Sequence, residues 1–133
     1  MSPVLVSGLL YAGLTFAAGF VLGAARNVLI APFTGPLLAV CIELPIMLAF
    51  SWYACRQSLR RVPVAPKPAP RLAMGAVALI ALLGLEALLS LTLGGLTPAQ
   101  HLALYGTAPV LTGLAGQVIF ALFPLARIGS DRA

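Results

Sequence analysis

The chain has 133 residues, 61% hydrophobic and 8% charged, with eight Lys and Arg against three Asp and Glu, a net charge of +5 and a mean hydropathy of +1.06. Soluble domains carry about 25% charged residues, so a soluble globular fold is excluded, and four apolar spans of about 20 residues with short connections occupy nearly the whole length. Nucleic acid is excluded as a partner too, because the bases cluster in one Pro-rich connection and the C-terminal tail, beside apolar runs where topology and anionic headgroups account for them.

The first apolar run, about residues 4–30, lacks the basic start of a secretory signal and outlasts a signal's apolar core, so it is expected to stay as a span. Thr15, Gly19 and Gly23 recur at i, i+4 and i+8, a small-residue strip predicted to pack helices closely, and Arg26 and Asn27 continue that face. Pro32 predicts the end of the helix at Ala31, since the residue before proline is pushed out of the α region. The stretch from Pro32 to Pro36 then reads as a tight reversal, making the first two spans an antiparallel hairpin.

The second span, about 37–55, holds Glu43 and Pro45 and ends in Trp52 and Tyr53, amphipathic rings suited to a headgroup boundary. Pro45 has no N–H and so frees the Cys41 carbonyl near Glu43. Cys41 and Cys55 lie about 21 Å apart along one helix at 1.5 Å per residue, too far to pair, and read as buried apolar thiols. Residues 56–71 carry five bases, no acid and four prolines, which predicts an extended polyproline-like cytoplasmic linker touching anionic lipid headgroups.

The third span, about 72–93, carries Glu86 and Ser90 and stops at Gly94 and Gly95. Thr97, Pro98 and Gln100 have the form of a capping box, predicting a short interfacial helix through His101 to about Tyr105. The fourth span, about 108–126, has Gln117 near its middle, a candidate for lining a cavity or donating across helices. The expected fold is an all-α polytopic membrane protein, a single four-transmembrane-helix bundle. The bases place linker and tail in the cytoplasm, with both termini on that side of a bacterial inner membrane.

Helical rise sets Glu43 about 9 Å, Glu86 about 10 Å and Arg26 about 8 Å below the outer ends of their spans, one level on three helices. A charge at the bilayer centre costs roughly 2.5–3.5 kcal/mol on insertion scales, and such groups usually face the bundle interior and pair. Arg26 can neutralise one carboxylate, leaving the two acids to share a proton. Glu43, Glu86, Arg26 and Asn27 are therefore the expected proton, ion or substrate site, with Gln117 and Ser90 in support. The serines lack a neighbouring base, one His without further ligands makes no metal site, and no cofactor motif is present, so neither an enzyme nor a metal centre is expected. The expected function is proton- or ion-coupled transport or binding of a small solute. The alternative is a non-catalytic accessory or assembly subunit, and in either case a homo-oligomer or a membrane-protein partner is expected.

Overall fold

The computed structural model describes residues 2–132, and of 130–132 only the backbone. Helix α1 (Pro3–Ala25) is capped by the Ser2 hydroxyl, which accepts from the Leu5 N–H, and passes through a π-helical turn (Arg26–Ile30) into the short α2 (Ala31–Thr34). Then come α3 (Pro36–Arg61), α4 (Pro68–Thr92), α5 (Pro98–Ala103), a 3-10 turn (Leu104–Gly106) and α6 (Ala108–Arg132). The chain is all-α among the described residues, and α1 with α2, α3, α4 and α6 supply four helices long and apolar enough to cross a membrane.

Two expectations about helix ends are corrected. The first helix does not stop at Ala31: Pro32 sits in the first turn of α2, where its missing N–H is tolerated. The turn before it widens instead, the Ala31 N–H donating to the Arg26 carbonyl five residues back. The reversal is made at Gly35 alone, whose φ of +86° lies in the left-handed region that a side chain disfavours. The linker is also shorter than 56–71, for α3 runs on to Arg61, and Pro68 and Pro70 lie in the first turn of α4. Only residues 62–67 are non-helical there.

The four long helices form a ring in which α1 touches α3 and α4, and α6 touches the same two. α1 and α6 are thus diagonal, as are α3 and α4. At the end carrying the basic connection the bundle is solid, with Tyr11, Cys55, Met74 and Phe120 buried together. α4 and α6 come so close there that a Cβ on Gly75 would collide with the Ala121 carbonyl. Pro124 inside α6 has no N–H to give the Phe120 carbonyl. The Tyr11 hydroxyl crosses the diagonal and donates to that oxygen at 2.7 Å, its ring stacked on Phe120 with centroids 4.1 Å apart.

Two bases expected to lie outside the spans turn into this end. Arg71 is buried and donates to the Pro124 carbonyl at 2.9 Å and the Val64 carbonyl at 3.4 Å. Arg127, also buried, donates to the Trp52 carbonyl at 3.1 and 3.2 Å and lies 4.2 Å from the centre of the Trp52 ring. Arg56, Arg60, Arg61 and Lys67 remain exposed. Cys55 is buried as expected, whereas Cys41 is exposed.

Candidate functional site

Toward the opposite end the ring opens into a cavity of about 710 Å³ bordered by all four long helices. A second hollow of about 290 Å³ adjoins it under Tyr105 and Pro109, and Arg26, Asn27, Glu86 and Gln117 line both. α1 delivers Arg26 from the π-helical turn, α3 delivers Glu43, α4 Glu86 and Ser90, and α6 Gln117. The widened turn falls at the residue whose side chain must reach α3, and such turns are frequent at functional sites.

Arg26 Nη1 donates to Glu43 Oε2 in the described structure's ion pair. The Glu43 side chain is 11% exposed and that of Arg26 27%, so the pair is largely withdrawn from solvent. Glu86, on the helix diagonal to α3, has a different partner: Gln117 Nε2 donates to Glu86 Oε1 at 2.5 Å. The two carboxylates share one cavity and no hydrogen bond joins them, so each acid has its own neighbour. One charge is balanced by a guanidinium, the other is met by a neutral amide.

The remaining sequence candidates take different places. Asn27 is exposed at the rim. Gly19 and Gly23 line the cavity and do not bring helices together tightly; an added Cβ would make ordinary contact with Met47 at 3.6 Å or the Arg26 guanidinium at 3.8 Å. Thr15 is buried in the cavity wall. The Oγ1 of Thr15 and the Oγ of Ser90 are buried without a hydrogen-bond partner. Buried hydroxyls are normally satisfied, and the exceptions call for a specific occupant such as water or a ligand.

Sequence reasoning gave no role to the apolar lining, yet Phe16, Phe20 and Phe120 all face this space. Nor did it place the predicted short interfacial helix over the site. The capping box of α5 is present in both directions, Gln100 N–H to Thr97 Oγ1 at 3.2 Å and Thr97 N–H to Gln100 Oε1 at 2.9 Å. It fixes the segment that carries Tyr105 over the smaller hollow, with His101 edge-on to the Tyr105 ring at 5.5 Å. Burial and the nearby Glu86 carboxylate push the Tyr105 phenol above its ordinary range. No signal short of the folded ring of helices joins Tyr105 to Glu86, 19 residues earlier in the chain.

No group of three or more His, Cys, Asp or Glu among the described residues is placed to hold a metal ion. Comparison with known proteins adds no relative: no family model, curated protein or solved structure matches the chain.

Proposed function

We propose that this is a small membrane protein that binds a solute in the cavity and couples that binding to a proton on Glu86. The observation that carries the reading is the unequal treatment of two acids in one cavity. Glu43 is committed to Arg26 and closes the α1 to α3 hairpin, whereas Glu86 faces an amide and can exchange a proton for a ligand without breaking an ion pair. Intramembrane ionisable groups facing an interior space are functional candidates by default, and 710 Å³ falls within the range of small-molecule sites, roughly 300–1,000 Å³.

In this reading the end with Arg56, Arg60, Arg61 and Lys67 faces the cytoplasm of a bacterial inner membrane and meets anionic headgroups, both termini lie on that side, and the cavity opens toward the other. Copies of the bundle associate through lipid-facing surfaces.

The test is a pH jump on proteoliposomes adsorbed to a solid-supported membrane, which records charge movement as protons bind. Wild type is expected to give a transient current that is lost in Glu86→Gln and kept in Leu102→Ala on the exposed face of α5. A silent wild type, or a current unchanged in folded Glu86→Gln, overturns the reading in favour of an assembly subunit.

A further inference from the structure

We infer that the solute is a primary or secondary organic ammonium, its N–H groups shared between the Glu86 carboxylate and the Ser90 hydroxyl and its apolar body lying against Phe16, Phe20 and Phe120. The inference rests on the exchange role proposed for Glu86 and names the ligand class that the same cavity accepts.

The sign of the ligand follows from the charges. Arg26 and Glu43 neutralise each other, among the described residues Glu86 has no ion-pair partner, and the other titratable groups near it, His101 and Tyr105 of the segment over the smaller hollow, add no second acid, so Glu86 is the carboxylate of the cavity without a paired cation. An anion would add a second charge of the same sign to a low-dielectric space, and a neutral solute gives Glu86 no reason to release its proton.

The need for N–H donors follows from Ser90. It stands one turn beyond Glu86 on α4 and on the same face. Helical hydroxyls commonly donate to the carbonyl four residues back, and Ser58, Thr92 and Thr112 do so at 2.9, 2.6 and 2.8 Å. The Ser90 hydroxyl does not, and is left buried without a partner at the wall of the cavity that Glu86 also lines. An ammonium group, with two or three diverging N–H bonds, donates to the carboxylate and to the Ser90 oxygen together, and leaves the hydroxyl hydrogen free to turn to a carboxylate oxygen. A quaternary ammonium carries the charge but leaves the hydroxyl unpaired.

The body follows from size and lining. The volume far exceeds a bare metal ion, and three phenylalanines favour an apolar or aromatic frame near a cation. The exchange balances as the glutamic acid and the ammonium going to a carboxylate–ammonium pair, with one proton released to solution.

The experiment uses the full chain in lipid nanodiscs with three probes: 2-phenylethylammonium, its trimethylated quaternary analogue and 2-phenylethanol. Binding is read by calorimetry and proton release by a pH indicator in weak buffer. Expected are binding of the primary ammonium with one-for-one proton release, binding of the quaternary analogue about tenfold weaker, and of the alcohol weaker still. Ser90→Ala is expected to cost the primary ammonium about tenfold and leave the quaternary analogue unchanged, and Glu86→Gln to remove proton release. Equal affinity for the primary and quaternary cations, or for cation and alcohol, overturns the inference. So does absence of binding by all three probes when the pH-jump current is intact, a result that leaves the proton site standing. Loss of both binding and current in folded wild type removes the proton site as well. Ser90→Ala keeps the hydroxyl claim testable even if Glu86→Gln fails to fold.

Discussion

Arg26 and Glu43 meet across the first hairpin with unequal burial, and that asymmetry sets what removing either one does. Arg26→Gln leaves a carboxylate only 11% exposed without its countercharge. Breaking a buried pair costs about 3–5 kcal/mol, and because the guanidinium keeps 27% exposure the expected loss is smaller, about 2 kcal/mol. Thermal unfolding in detergent should show it, and Arg26→Gln with Glu43→Gln together should recover most of it, since no charge is then stranded. The Tyr11 hydroxyl offers a second case. Tyr11→Phe strands the Phe120 carbonyl in a buried site and should cost about 1–3 kcal/mol. Adding Pro124→Ala restores a helical N–H four residues after Phe120 and should return part of that loss, read by the same unfolding measurement.

Helices are where sequence and structure agree best. The existence of four spans, the antiparallel first hairpin and the α5 capping box are all legible, because apolar length, turn residues and a Thr-x-x-Gln spacing are local signals. The ends are less legible. Proline weakens a helix interior but suits a first turn, and from sequence alone Pro32, Pro68 and Pro70 read as breakers rather than starters. Close packing is not legible either: the strip at Gly19 and Gly23 lines a cavity, and the tight α4 to α6 contact is at Gly75. Gly75→Ala should therefore destabilise by about 1–3 kcal/mol or prevent assembly, as overpacking does. Gly84→Ala, where an added Cβ meets nothing within 4 Å, should be neutral or slightly stabilising. Comparing the two unfolding temperatures checks the packing of α4 against α6.

At the scale of the molecule, the bundle is closed at one end by side chains that cap backbone carbonyls and hollow at the other around charged and amide groups. Matched depths brought Arg26, Glu43 and Glu86 to one level in the sequence reading, but the order of helices around the ring decides who pairs with whom. Adjacent α1 and α3 allow the ion pair, adjacent α4 and α6 allow Glu86 to meet Gln117, and the diagonal keeps the acids apart. That order depends on many weak contacts summed over whole helices, so no local motif encodes it. The orientation proposed for the bundle predicts that, with Cys41 and Cys55 replaced by Ser, an impermeant thiol reagent labels Leu102→Cys from the outside of intact cells. Arg60→Cys should react only after the membrane is opened. The reverse pattern would invert the topology.

The most direct test of the central claim, that Glu86 is the exchangeable carboxyl of the cavity, is infrared difference spectroscopy of the nanodisc-embedded protein between acid and neutral solution. Wild type should show an acid-to-carboxylate change that Glu86→Gln deletes. A spectrum in which folded Glu86→Gln retains the whole change would contradict the account.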